Sequence, residues 1–156
     1  DGTLWAWGNN VSGSGGHNNR TQYSSPMQVG TDTDWADSQL SGRGESTIAI
    51  KSDGTMWTWG QTTYGELGQN ENNKAYSSPT QLPGSWNYVY STGEHTIASK
   101  PDGTLWAFGN NEQGNLAGNI GSTPGARSSP TQIGTGTNWT VEGVTAFGKV
   151  GSALQT

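Results

Sequence analysis

The pentapeptide Asp-Gly-Thr-Leu/Met-Trp occurs three times, at Asp1 to Trp5, Asp53 to Trp57 and Asp102 to Trp106. The starts are 52 and 49 residues apart. Self-similarity at such a period marks an array, in which each unit is one small supersecondary element that covers its neighbour's apolar face. The rest of the chain keeps the phase. Each pentapeptide runs into an apolar alternation ending in glycine: Trp5-Ala6-Trp7-Gly8, Trp57-Thr58-Trp59-Gly60 and Trp106-Ala107-Phe108-Gly109. A Gly-rich turn follows (Gly13 to Asn18, Gly65 to Asn70, Gly114 to Asn119), then Ser-Ser-Pro ending at Pro26, Pro79 and Pro130. Gln28, Gln81 and Gln132 open a short β segment, and a lone tryptophan comes next at Trp35, Trp86 and Trp139. The unit closes with Gly44-Glu-Ser-Thr-Ile-Ala-Ile-Lys51 and Gly93-Glu-His-Thr-Ile-Ala-Ser-Lys100; the third closing, Gly148 to Gln155, is degraded.

One unit can be read physically. Thr47 to Ile50 is a β-branched, apolar strand. Ser52-Asp53-Gly54 is a turn signal, because Asp and Gly tolerate the backbone of tight hairpins. Thr55 to Trp59 is the returning strand, with Trp57 and Trp59 on one face and Met56 and Thr58 on the other; Gly60 is expected to stop it. Ser-Ser-Pro is expected to lead into an outer strand, where proline is tolerated. Four short strands in roughly 50 residues is the size of a propeller blade. The expected fold is therefore all-β: a single repeat domain, 1–156, of three tandem four-stranded blade repeats at about 1–51, 52–100 and 101–156, forming a partial or oligomer-completed β-propeller. Low charge and 25 glycines would also suit disorder, but eight tryptophans do not. All eight fall on repeat-phased positions, with Phe108 in the one missing slot. They are expected to serve core and inter-blade packing rather than ligand stacking.

These residues resemble the regulator of chromosome condensation repeat family. Its pattern is a Gly-x-x-His-Thr-x-Ala strand, an Asp-Gly turn, a Leu-Trp-x-Trp-Gly strand, a Gly-x-Leu-Gly turn and Ser-Ser-Pro. Gly93 to Ala98, Asp53 to Gly60, Gly65 to Gly68 and Ser77 to Pro79 match it. The run Asp-Gly-Thr-Leu-Trp-Ala-Trp-Gly-Asn-Asn with Ser-Ser-Pro-x-Gln is also similar to the form of this repeat in predicted virion proteins of aquatic bacteriophages. The resemblance implies a closed propeller, usually of seven blades, and functions that vary among nucleotide exchange, nucleosome binding, enzyme inhibition and attachment. Fold alone does not choose among them. The third unit departs from the pattern at Ala117-Gly118 and in Gly143 to Leu154.

The chain is cut in phase, since Thr156 occupies the slot before the Asp of a next unit and Asp1 is such an Asp. It is expected to be either an excerpt of a longer array or a protomer completed by another copy, because three blades do not close a ring. An isolated monomer is expected to be an incomplete fold.

Charge and composition exclude several functions. The net charge is −5, and seven Lys and Arg are scattered without a basic run, so nucleic acid is not an expected partner. No apolar run is long enough for membrane insertion. With no Cys, thiol catalysis and thiolate metal sites are absent. No catalytic residue, cofactor or metal is expected. His95 shares its slot with Ser46 and Val150, and Glu45 and Glu94 are repeat equivalents rather than a tuned acid/base pair. Asp32, Asp34 and Asp37 could bind calcium by spacing, but lack the later Glu and central Gly of a calcium loop and read as a solvated loop. Asn10, Asn19 and Asn138 open Asn-x-Ser/Thr sequons, relevant only on a secretory route.

The candidate binding residues lie in the loops before Ser-Ser-Pro, where the units differ: Asn18, Asn19, Arg20, Tyr23, Asn73, Lys74, Tyr76 and Arg127. Tyr23, Tyr76 and Arg127 share one position, and Tyr and Arg are enriched at interface hot spots. The competing account is that they pack on the neighbouring blade. The expected function is a non-enzymatic structural or binding module. It is read as a virion component, fibre or surface decoration, that presents polar loops for host-surface or subunit contacts. The alternative is a secreted or cell-surface bacterial propeller binding a protein or glycan. Expected partners are protein subunits of an assembly or further repeats, with a host-surface glycan or protein beside them. The expected location is virion or extracellular.

Overall fold

The computed structural model describes residues 1–117, 125–147 and 150–155. They form twelve strands: β1 (Trp5–Gly8), β2 (Tyr23–Gln28), β3 (Trp35–Arg43), β4 (Ser46–Lys51), β5 (Thr55–Thr62), β6 (Lys74–Ser85), β7 (Tyr88–Ser91), β8 (His95–Ser99), β9 (Leu105–Gly109), β10 (Arg127–Ile133), β11 (Trp139–Phe147) and β12 (Val150–Gln155). No helix occurs among the described residues. Two four-stranded antiparallel sheets, β3-β4-β5-β6 and β7-β8-β9-β10, are complete blades. Two two-stranded sheets, β1-β2 and β11-β12, flank them in sequence.

Each complete blade straddles two sequence units. It takes the lone-tryptophan strand and the closing strand from one unit, then the Asp-Gly-Thr strand and the Ser-Ser-Pro strand from the next. Sheet and sequence period are offset by half a unit, so the hairpin inside the blade is the Asp-Gly turn itself. There Gly54 N–H donates to Lys51 O at 2.9 Å and Gly103 N–H to Lys100 O at 3.0 Å. Both glycines have positive φ, 83° and 78°. A methyl on Gly103 would lie 1.9 Å from Thr137 O, so the turn also needs the close approach that only glycine permits.

Gly60 does not stop its strand. β5 continues to Thr62, and Gly60 instead sits at a bulge where the partner register jumps from Thr80 to Tyr76. The extra residues on β6 are Ser77-Ser78-Pro79. Proline is accommodated because β6 is the edge strand and the bulge removes the ladder bond it cannot make.

The core lies between blades, not within one. Ile48, Ile50, Met56 and Leu82 of the first complete blade pack on Trp86, Val89, Ala98 and Phe108 of the second. The opposite face of the first carries Trp35, Ala49 and Trp59, with Leu4, the residue before β1, against them. Strand alternation thus gives each blade two apolar faces, and each face is covered by a neighbour. β3 touches β7 and β7 touches β11, which places one edge strand of each of these three sheets on a common inner side.

Two of the eight tryptophans depart from the packing expected of them. Trp7 is 64% exposed and Trp5 48%, whereas Trp59, in the phase of Trp7, is 1% exposed. Among the described residues, β1 has no strand on the side where β5 has β4.

Candidate binding surface

Three repeated devices hold the loops. The first is a relay at every Asp-Gly-Thr-x-Trp. The indole N–H groups of Trp5, Trp57 and Trp106 donate to Thr3, Thr55 and Thr104 Oγ1 at 2.9, 3.0 and 2.8 Å. Each threonine hydroxyl donates to Oδ1 of Asp1, Asp53 or Asp102 at 2.9, 2.7 and 2.6 Å, and the same oxygen accepts the threonine backbone N–H. The Asp53 carboxyl is held below its usual range by the Thr55 backbone N–H and then its hydroxyl. Asp102 is lowered likewise, its Thr104 hydroxyl bond leading.

The second device is an inter-blade latch. Asn18 N–H donates to Ser77 O at 2.7 Å, and Ser78 Oγ donates to Asn18 Oδ1 at 3.1 Å. Asn70 repeats this on Ser128 O and Ser129 Oγ at 2.7 and 3.1 Å. Both asparagines are left-handed, with φ of 57° and 60°, a conformation Asn tolerates better than most residues. The Ser-Ser-Pro bulge is therefore the receptor for the preceding blade's turn. Thr47 Oγ1 to Ser14 O and Thr96 Oγ1 to Glu66 O, both 2.9 Å, fasten the inner part of the same junctions.

The third device is a lysine stacked on two indoles. Lys51 Nζ lies 5.1 and 5.2 Å from the ring centres of Trp35 and Trp57; Lys100 Nζ lies 5.1 and 3.8 Å from those of Trp86 and Trp106. Such contacts contribute about 0.5–2 kcal/mol each, depending on desolvation. Asp32 and Asp34 reach Lys51 at 2.7 and 3.0 Å, so this acidic loop is an ion-pair partner rather than merely solvated; Asp37 is exposed on β3. Burial opposes the Lys51 charge, but the two carboxylates overcome it and hold its pKa above the ordinary value. No carboxylate pairs with Lys100 among the described residues.

The candidate residues are distributed over the three units instead of forming one pocket. Asn18, Asn19 and Tyr23 line a groove of about 420 Å³ with His17, Trp35 and Trp57. Asn19 Nδ2 donates to Tyr23 OH at 3.1 Å, and the Tyr23 ring meets His17 edge-on at 5.0 Å. Arg20 is exposed. Lys74 and Tyr76 both bind Glu71, which closes their loop, while Asn73 is exposed in a left-handed turn (φ 55°). Burial and the Glu71 bond push the Tyr76 hydroxyl up to about 12. Arg127 is half-buried and its Nε has no partner among the described residues. The third loop, 119–126, falls largely outside the described residues.

Asn18 is thus a latch, and Tyr23, Lys74 and Tyr76 are tied within their own loops. Arg20 and Asn73 are the candidates most open to solvent. Asn10 is buried and fully used, giving its amide protons to Asn19 O and Thr21 O and accepting from Gly15 N–H, so it offers no free sequon amide. His95 is fully buried beside Thr92 Oγ1 at 3.0 Å, and burial lowers its pKa, as suits a structural neutral imidazole. Sequence reasoning missed the stacked lysines and buried Glu66, whose carboxylate caps Thr63 and Tyr64 N–H at 3.0 and 2.7 Å. The signal for the lysines was available: Lys51 and Lys100 share a phase just before the Asp-Gly turn.

Residues 53–99 match the family model described as the regulator of chromosome condensation (RCC1) repeat. The chain superposes on yeast RCC1 (Prp20), in its crystal structure bound to Kap60, with a TM-score of 0.79 at 16% identity, over 99% of this chain and 38% of that one. The fold is that of RCC1-type propeller blades. Human WBSCR16 matches with a TM-score of 0.72 at 21% identity, over 85% of this chain and 33% of that one. Prp20p from Saccharomyces cerevisiae, whose structure is described with its binding to Gsp1p and histones, gives 0.72 at 17%, over 85% and 34%. In sequence, Protein RCC2 homolog of Danio rerio is 31% identical over 83 residues, which is 53% of this chain and 17% of that protein. The chain therefore spans about a third of the structures it resembles.

Proposed function

We propose that this chain is a non-enzymatic binding and structural module that presents variable polar loops on RCC1-type blades, as a component of a virion. The observation that carries the reading is the latch. At both junctions the Asn and Ser-Ser-Pro contacts are identical, so the backbone supporting each loop is fixed. The residues that differ between units, Arg20 in the first and Asn73 in the second, project into solvent. A rigid scaffold with variable tips is the usual arrangement of a recognition surface. The virion assignment is supported by the Asp-Gly-Thr-Leu-Trp-Ala-Trp-Gly-Asn-Asn texture of the sequence.

A secreted or cell-surface propeller binding a protein is the second reading, favoured by the yeast Prp20 structures, one bound to Kap60 and the other described with its binding to Gsp1p and histones. Proteomics of purified viral particles against the secreted host fraction separates the two. The virion reading requires peptides of this chain in the particle fraction. In a binding assay on intact host cells, the double substitution Arg20→Ala and Asn73→Ala is expected to weaken attachment at least tenfold with the fold unchanged. Undiminished attachment would remove the loops from the role.

A further inference from the structure

We propose that the groove between the two complete blades is a binding site for an acidic segment of a partner protein, of Asp-x-Asp type, held by Lys100. The site lies apart from the loop tips Arg20 and Asn73 and does not depend on them. The groove measures about 430 Å³ and is lined by Asn70 and Pro83 on one side and by Trp86, Lys100, Trp106 and Pro130 on the other. Lys100 is the one ionisable side chain among the described residues that line it.

The preceding junction identifies the ligand. Lys51 and Lys100 share a phase, and each lies over the same pair of indoles, Trp35 with Trp57 and Trp86 with Trp106. An ammonium group has three N–H donors. Lys51 Nζ lies 2.7 Å from Asp32 and 3.0 Å from Asp34. Both acids come from the stretch between Gln28 and Trp35. Its counterpart, from Gln81 to Trp86, is two residues shorter and contains no acid. What this shorter stretch sets beside Lys100 is Gly84: a methyl placed there would lie 3.9 Å from Lys100 Cε. Pro83, Gly84 and Ser85 are all exposed, so the approach to the groove faces solvent. Asp102 feels the Lys100 charge, but its Oδ1 is taken by Thr104. Asp53 stands in the same relation to Lys51 and Thr55, so this carboxylate is common to both junctions.

The Lys51 junction thus displays the occupied state within the chain: two carboxylates, two positions apart in sequence, on an ammonium stacked on two rings. The Lys100 groove has the same ammonium and rings without the acids, and a partner's Asp-x-Asp supplies them. The rings shield part of the ammonium from water, which strengthens a charge-assisted bond on its open side. A peptide suits the groove better than an acidic sugar. Trp86 is 2% exposed, Trp106 packs on the core cluster, and Lys100 itself lies over the Trp106 ring at 3.8 Å, so the ring surface on which a sugar would stack is taken.

The test is a titration of the isotope-labelled full chain with the capped peptide Gly-Thr-Asp-Thr-Asp, followed at the indole N–H signals. Those of Trp86 and Trp106 are expected to shift and saturate, and the control peptide Gly-Thr-Asn-Thr-Asn to bind about tenfold more weakly. Lys100→Met keeps the stem and removes the charge, and is expected to abolish the shifts; Lys100→Arg is expected to retain them. An unmoved Trp59 signal reports that each variant keeps its fold. Adding Asp32→Asn and Asp34→Asn to the Lys100→Met chain uncovers Lys51, and the response is expected to move to Trp35 and Trp57. No shift at about 10 mM peptide, equal binding of the two peptides, or shifts that survive Lys100→Met overturns the proposal. Tighter binding of a galacturonate trimer than of the peptide overturns the protein assignment. Attachment through Arg20 and Asn73 is measured separately, so either reading can fail without the other.

Discussion

Trp7 and Trp59 stand at the same place in the same motif, yet one is open to solvent and the other is buried to 1% exposure. The motif around them is nearly identical, and so is the relay beneath each: Trp5 and Trp57 bind Thr3 and Thr55 in the same way. What differs is the neighbour. Trp59 has β4 alongside and Trp35 tilted against it at 6.0 Å, and its indole N–H donates to Ser14 O in the turn of the preceding unit at 2.8 Å. Trp7 has only β2. In this array the local motif sets conformation, and burial comes from the next strand and the next blade.

The largest break in that comparison is Trp59→Ala against Trp7→Ala. Removing the buried indole is expected to cost about 3–5 kcal/mol, and the exposed one within about 0.5 kcal/mol, read from urea midpoints at low protein concentration. The glycines sharpen it next. Gly60→Ala drives a methyl onto the Glu45 carbonyl at positive φ, with an expected loss of about 2–4 kcal/mol. Gly8→Ala keeps only the backbone strain, about 1 kcal/mol. Equal losses would place a further strand alongside β1.

Smaller still is the contrast between the stacked lysines. Lys51→Met removes two ion pairs as well as the ring contacts and is expected to cost about 1 kcal/mol more than Lys100→Met, the excess shrinking as salt rises. A salt-independent difference would assign the effect to packing alone. The smallest effects are those of pH. Asp53 and Asp102 have depressed folded pKa values, so their contribution is present above the unfolded value and is lost as pH falls through the ordinary carboxylate range and below it. Tyr76 is raised to about 12, so its contribution is complete below pH 10 and disappears between about 10 and 12. Asp53→Asn should flatten the acid limb of the urea midpoint, and Tyr76→Phe the alkaline one.

The fold was legible because its signals are local and repeated. Asp53-Gly54-Thr55 encodes a turn by its own hydrogen bonds, and Trp57-Thr58-Trp59 encodes a strand by alternation. The offset between blade and sequence unit was not legible, because it depends on which of two flanking strands pairs with the Asp-Gly-Thr strand across a longer connection. The bulge at Gly60 was hidden for the same reason: it exists only against Ser77-Ser78-Pro79 of the partner. For the candidate surface, unit-to-unit variation pointed to the right loops but not to their chemistry. Nothing in the string of residues shows that Asn18 reaches Ser77 and Ser78, 59 and 60 positions away, or that Glu71 ties up Lys74 and Tyr76.

The latch between Asn18 or Asn70 and the following Ser-Ser-Pro is the same bond set at the two described junctions, and it involves adjacent blades only. An array fastened in this way can be lengthened by duplicating a whole unit. The inserted copy finds a receptor ahead of it and offers one behind, so no existing contact has to be re-invented and stability rises by a nearly constant step per copy. Selection is then free to change the tips of a new unit from its first generation, since the stretch that recombines and the stretch that recognises are separate parts of the same fifty or so residues.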